Sequence, residues 1–318
     1  MKYLFKAKTR EGFVLKLISE MLSNFIKYPP FHIDHNGIYL RAMDQACETL
    51  VDLDLPRENF PGFKCLNPLN FIVNSSHFYR LLKTIKKKDS VTMFISEQFP
   101  MKLGICVEPN DEYSERVVTY INITYIQPED IDLPDGYGDP IIVTSKNFQK
   151  LKILHSIGSE LKVTIFNQNI KFFVNGKNLF SREISIGQDD DDEDVVNNSK
   201  SFCQTFVTSS ITQLTKCAGQ SGNVQILADE ELPLQIKMRT GSLGNLTVYI
   251  KSKELVEMLE HDDGIQNVTN EIGGIIDLKN NYSKEESEDE EDDEDEQYDV
   301  EEDKYPMKKT NVSVTKKR

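Results

Sequence analysis

The chain states one pattern twice, and this repetition constrains its fold more than any other feature. The segment Asn74-Ser75-Ser76-His77-Phe78-Tyr79-Arg80-Leu81-Leu82-Lys83 is echoed by Thr208-Ser209-Ser210-Ile211-Thr212-Gln213-Leu214-Thr215-Lys216. Each leads into a β-rich run that passes through a proline, Val91 to Pro100 and Val224 to Pro233. Upstream, Phe13-Val14-Leu15-Lys16-Leu17 is echoed by Phe148-Gln149-Lys150-Leu151-Lys152. Phe148 lies 135 residues after Phe13, Ser209 lies 134 after Ser75, and Pro233 lies 133 after Pro100. Landmarks in one order at one offset imply two like domains, which tend to assemble with pseudo-symmetry.

The 318 residues suffice for two such domains and a tail. No apolar run reaches the ~18 residues that a bilayer-spanning helix needs. The start, Met1-Lys2-Tyr3-Leu4-Phe5-Lys6, reads as a strand and lacks the apolar stretch of a signal peptide. Five scattered cysteines, at 47, 65, 106, 203 and 217, suit reduced thiols in an intracellular, non-secreted protein. The formal charge of −15 is uneven: residues 280–318 hold 15 acids against 7 bases, and Asp189–Asp194 are six consecutive acids. Both blocks are expected to be solvated rather than packed.

Along the chain, residues 12–25 have the apolar spacing of a helix, ended by Pro29-Pro30. Asn36-Gly37 marks a hairpin between strands 31–34 and 38–43, and Thr49–Leu55 alternates as a further strand. Ser75 or Ser76 is expected to cap a helix reaching about Lys87. Strands at 91–95, 102–107 and 116–124 complete the first half. Three prolines and two glycines between Pro128 and Pro140 mark a linker. The second half repeats the plan, with helices over 145–157 and 209–218. The expected organisation is domain 1–126, linker 127–140, domain 141–253 and an acidic, disordered extension 254–318. The fold class is α+β, with helices on one face of antiparallel sheet.

Catalytic signatures are absent: there is no phosphate-binding glycine loop, dinucleotide fingerprint or nucleophile elbow, so no enzyme, cofactor or metal is expected. His32 and His35 lack the partners of a metal site. The informative chemistry is a charge pattern. Residues 75–88 contain Arg80, Lys83, Lys86, Lys87 and Lys88 with no acid, and residues 145–157 contain Lys146, Lys150 and Lys152 with no acid. Residues 208–220 contain Lys216 and no acid, whereas the first helix mixes Lys16 with Glu20. A solvated helix face normally mixes signs, so helices of one sign point to phosphate contact without base reading. No aromatic cluster interleaves these bases, so single-strand stacking is not expected.

Gly37-Ile38-Tyr39-Leu40-Arg41-Ala42-Met43-Asp44 resembles a motif in the first domain of the proliferating cell nuclear antigen family, the sliding clamps of eukaryotes and viruses. Leu232–Ile236, Leu243–Ile250 and His155-Ser156-Ile157-Gly158 resemble its second domain. The resemblance covers roughly residues 1–253. It implies two tandem clamp domains, each with sheet outside and two helices inside. Three subunits would then close a pseudo-sixfold head-to-tail ring around duplex DNA.

By that resemblance the DNA-facing residues are Lys16, Arg80, Lys83, Lys86, Lys146, Lys150, Lys152 and Lys216. Edge strands Arg116–Thr124 and Lys177–Ser185 would join subunits. A pocket under the linker, made by Met43, Leu50, Ile131, Leu133, Pro134, Pro233 and Tyr249, would receive partner peptides carrying a glutamine, an aliphatic residue and two aromatics. The implied partners are DNA polymerase, a clamp loader and further copies of the chain, in the nucleus or at a viral replication site. Lys251-Ser252 replaces the family's Ala-Pro pair, and Asn167 replaces its modified turn lysine. The long acidic additions suit a divergent clamp from a large DNA virus or a protist. Two alternatives are one subunit of a heterotrimeric checkpoint-type clamp, and a transcription or assembly scaffold of clamp fold that does not encircle DNA.

Overall fold

The computed structural model describes residues 2–110, 115–166, 168–176, 180–187 and 201–263. These belong to one compact unit, Met1–Ile265. Asn167, Lys177, the acidic run 189–194 and the tail 280–318 lie outside the described residues.

The first half runs β1 (Tyr3–Thr9), α1 (Gly12–Phe25), β2 (Pro30–Ile33), β3 (Gly37–Met43), β4 (Thr49–Pro56), β5 (Gly62–Cys65), β6 (Leu69–Ile72), α2 (Ser75–Leu82), β7 (Ser90–Ser96), β8 (Phe99–Glu108), β9 (Val117–Asn122) and β10 (Thr124–Tyr125). The second runs β11 (Ile141–Thr144), α3 (Ser145–Gln149) continuing as a 3-10 turn to Ser156, β12 (Glu160–Phe166), β13 (Asn169–Gly176), β14 (Phe180–Ile186), β15 (Phe202–Val207), α4 (Thr208–Thr212), α5 (Thr215–Ala218), β16 (Asn223–Leu227), β17 (Leu234–Thr240) and β18 (Gly244–Ile250). A last helix, α6, spans Lys253–Asp263.

The strands build three antiparallel sheets, ordered β5-β1-β7-β8-β9, β10-β6-β2-β3-β4-β18-β17-β16-β11 and β14-β13-β12-β15. The repeat explains this arrangement. β2-β3-β4 has its counterpart in β12-β13-β14, and β7-β8-β9 has its counterpart in β16-β17-β18. The nine-stranded sheet is therefore one half-sheet from each domain, joined edge to edge where β4 pairs with β18, Asn245↔Asp54 through Ile250↔Thr49. Gly244 permits that join, because a Cβ there would strike the Asp54 carbonyl.

Strand alternation sets the layers. Phe5, Ala7, Leu40, Val51, Leu53, Ile236 and Val248 point into the core, which the helices cover. α1 buries Val14, Leu15, Leu17, Ile18, Met21 and Leu22, the stripe its spacing predicts. Further contacts bind the halves: the Glu11 carboxylate accepts from Ser242 N (3.0 Å) and Ser242 Oγ (2.6 Å), and Asn59 Nδ2 donates to Leu243 O (2.9 Å).

Four expectations need correction. α2 is capped by Asn74, whose side chain accepts from His77 N, and it ends at Leu82 rather than near Lys87. The Asp89 carboxylate takes the Lys86 amide (2.8 Å) and Ile85 turns into the core, so the lysine run lies on a turn. The helix expected over 145–157 tightens to 3-10 geometry after Gln149. Leu151 and Leu154, three apart and both fully buried, fit the threefold period of that geometry. The 209–218 helix is broken between α4 and α5, where Thr212 Oγ1 donates to Thr208 O and Thr215 Oγ1 to Thr212 O. Residues 254–263, expected to begin a loose extension despite the helical propensity of Glu254–Glu260, form a docked helix. Ser252 Oγ accepts from Leu255 N (2.9 Å), Leu255 is buried, and the Glu254 carboxylate accepts from Thr205 N (2.8 and 3.1 Å) on the free edge of β15.

Candidate nucleic-acid and partner interfaces

α1 and α2 of the first half meet the second half's helices through α1 and α5. Arg80, Lys83, Lys86, Lys146, Lys150 and Lys152 are exposed on these helices and the turns that end them, opposite their buried faces. Lys16 is half-buried, its ammonium 5.5 Å from the Phe13 ring centre, where Lys87 also converges at 5.9 Å. Lys150 Nζ donates to Asn147 Oδ1 (2.9 Å). Lys216 differs from the rest: it forms an ion pair with Glu20 of α1, so its charge is largely countered.

Where α1 meets the second half, a cavity of about 360 Å³ opens between Leu17, Glu20, Met21 and Asn24 and the groups Lys152, His155, Ser156, Thr212, Gln213, Thr215 and Lys216. It gathers Lys152 and Lys216 with hydroxyl and amide groups that charge counting in the sequence did not pick out. Burial, then the nearby Glu20 charge, raises the Tyr79 hydroxyl's pKa. Burial pushes the adjoining Cys217 thiol up to about 12, so it remains an uncharged packing group.

β9 and β14 are the free edges of their sheets. The observed strands begin a residue or more inside the expected spans, with 117–122 and 180–186 in place of 116–124 and 177–185. Each edge shows apolar side chains: Val117 is 52% exposed and Phe180 is 60% exposed.

Met43, Leu50 and Tyr249 stand in register across β3, β4 and β18, with Gln235 of β17 next. Met43 is exposed, whereas Leu50 and Tyr249 are buried. Ile131, Leu133, Pro134 and Pro233 are all half-buried. Two contacts pin the linker. Arg41, paired with Asp52 (2.9 Å), donates from Nη1 to Ile131 O (2.8 Å), and Tyr137 donates its hydroxyl to Pro233 O (2.6 Å). The Tyr137 ring lies 6.4 Å from Tyr249. Burial first, then the neighbouring Tyr249 and Asp229, drives the Tyr137 pKa well above its ordinary value. Sequence reading missed Arg41 and Tyr137. A lone aromatic between Gly136 and Gly138 was the available signal for the second.

Two half-sheets fused edge to edge, a helix layer rich in exposed lysines and two open strand edges together define a DNA-clamp architecture. Residues 4–127 match the sequence profile described as proliferating cell nuclear antigen, N-terminal domain. Similar chains include the probable DNA polymerase sliding clamp of Autographa californica nuclear polyhedrosis virus, 24% identical over 255 residues, covering 79% of this chain and 96% of that protein. Another is probable DNA polymerase sliding clamp 1 of Paramecium bursaria Chlorella virus 1, 25% identical and covering 78% and 96%. The DNA polymerase sliding clamp of Nitrosopumilus maritimus (strain SCM1) is 27% identical, covering 77% and 97%. The crystal structure of the proliferating cellular nuclear antigen of Entamoeba histolytica shares the fold, with a TM-score of 0.66 at 20% identity over 79% of this chain and 99% of that one. Residues 4–127 thus match the family's N-terminal domain, and the chain over most of its length is similar to DNA polymerase sliding clamps.

Proposed function

We propose that the protein is a DNA sliding clamp and polymerase processivity factor, a non-enzymatic ring that encircles duplex DNA and tethers DNA polymerase and other replication proteins. One observation carries this reading. The subunit joins its own halves through β4 and β18, and the counterparts of those strands, β14 and β9, are left as open edges. Pairing β9 of one subunit with β14 of the next repeats the internal join, so a head-to-tail ring of three subunits would close six like units and cover both of these edges.

In that ring Arg80, Lys83, Lys86, Lys146, Lys150 and Lys152 face the hole, with Lys16 beside them and Lys216 moderated by Glu20. Topology holds the DNA, so each phosphate contact stays weak and the ring slides. The domains are taken as 1–126 and 141–253, with linker 127–140. Partners carrying a glutamine–aliphatic–aromatic motif, the loader included, dock between Met43 and the linker residues Ile131, Leu133 and Pro134, over Leu50, Pro233 and Tyr249. Loaded protein should remain on nicked circular DNA and run off once the circle is linearised, and the double variant Lys83→Glu/Lys150→Glu should lose polymerase stimulation while still folding. Equal retention on both DNA forms would sink the encirclement reading.

A further inference from the structure

The five-stranded sheet has a second face, turned away from the core, and its composition is unusual. Opposite the buried Phe5, Ala7, Met93, Ile95, Leu103, Ile105 and Ile121, one row across the strands reads Lys64–Lys6–Phe94–Gly104–Tyr120. A Cβ on Gly104 would strike the Phe94 ring, so the glycine lets that ring lie flat across β8. Tyr3, Phe94, Tyr120 and Phe99 then form a continuous aromatic ladder, with ring centres 5.5, 5.9 and 6.3 Å apart. Tyr120 is 44% exposed and Phe99 is 49% exposed. Cations border the ladder on both sides: Lys6, its ammonium 5.2 Å from the Tyr3 ring centre, with Lys64 on one side, and Lys102 on the other. The one carboxylate on these strands, Glu108, is engaged by Lys8 (2.6 Å) and Arg116 (3.7 Å).

We propose that this aromatic–lysine ledge binds single-stranded DNA without sequence preference. The exposed Tyr120 and Phe99 rings offer stacking surfaces to bases of any identity, and flanking lysines that form no ion pair among the described residues suit a phosphodiester backbone. Charge complementarity selects an anionic occupant, and exposed aromatic rings suit stacked bases better than an acidic peptide. Ring closure would leave the ledge open. It would add a strand to the β9 edge without covering the sheet's face, as β4 and β18 join while Thr247 stays partly exposed. Sequence reading could not find the site, because its rings come from positions 3, 94, 99 and 120.

The test is fluorescence anisotropy of a labelled oligo(dT) with the full chain, at several salt concentrations. Phe99→Ala should weaken binding by at least about fivefold, the lower range for losing one stacked base. Lys6→Ala/Lys64→Ala should weaken it and flatten its salt dependence, whereas Lys83→Glu/Lys150→Glu should leave most of it. These ledge variants avoid β9, so assembled mass and retention on circular DNA should match the parent, which separates failure here from failure of the clamp reading. The proposal is overturned if the parent does not bind oligo(dT), if only the helix variant loses it, or if a polyglutamate peptide binds in a Phe99-dependent way while oligo(dT) does not.

Discussion

Asp54 sits where two halves of the molecule meet, and its carboxyl bears the cost. Its strand pairs with β3 on one side and β18 on the other, and Asp54 Oδ1 is buried without a hydrogen-bond partner. Burial, then the charges of Asp52 and Glu58, raise its pKa. Arg41 relieves Asp52 alone, holding its Oδ1 at 2.9 Å. For an acid whose folded pKa is raised, the folded chain holds the proton more tightly than the unfolded chain. The contribution to stability is therefore greatest at low pH and is lost as pH rises through the folded pKa. Asp54→Asn should raise the melting temperature at pH 7 by no more than a few degrees, since about 1 kcal/mol is worth ~2–4 °C at this size. The gain should shrink as the pH falls from 7 toward 4, and thermal melts at the two pH values check it. An equal gain at both would assign the effect to packing instead of charge.

At the scale of elements, α6 does for β15 what β10 does for β6. Each follows the last strand of its half, and each satisfies the free edge of the first strand beyond the hairpin pair. β10 does so by pairing with β6, and α6 by placing Glu254 on the Thr205 amide. Glu254→Ala should cost about 1 kcal/mol, the scale of one partly exposed hydrogen bond, and speed hydrogen exchange at Thr205. Unchanged exchange there would mean water serves that amide equally well. Apolar periodicity fixed α1, the Asn36-Gly37 turn and most strands, because burial selects side chains by position. Helix ends were hidden, since α2 stops where the Asp89 side chain takes the Lys86 amide across a turn. The helical propensity of Glu254–Glu260 was legible, but its docking was hidden, because Leu255 is buried only against neighbours that the fold supplies. Met43, Leu50 and Tyr249 could be named from family likeness, but their alignment across three strands is a property of register, which one sequence does not state.

The whole molecule carries an incomplete pairing. Inside the chain, the β4–β18 join consumes the edges of two half-sheets. The other two equivalent edges carry Val117 and Phe180 largely exposed, and open apolar edges invite uncontrolled association unless a defined partner closes them. The two edges belong to opposite ends of the repeat, so the proposed ring would close the pattern against another copy, head to tail. A charge on one edge should therefore stop assembly without disturbing the fold. Phe180→Glu places a carboxylate on a side chain that is already exposed in the isolated subunit, so thermal stability at low concentration should hardly change. Light scattering should show the parent at three times the chain mass and the variant at one. A variant that still assembles as a trimer would remove β14 from the subunit contact, and with it the reason for expecting a ring in which the lysines of Arg80–Lys86 and Lys146–Lys152 share a single opening.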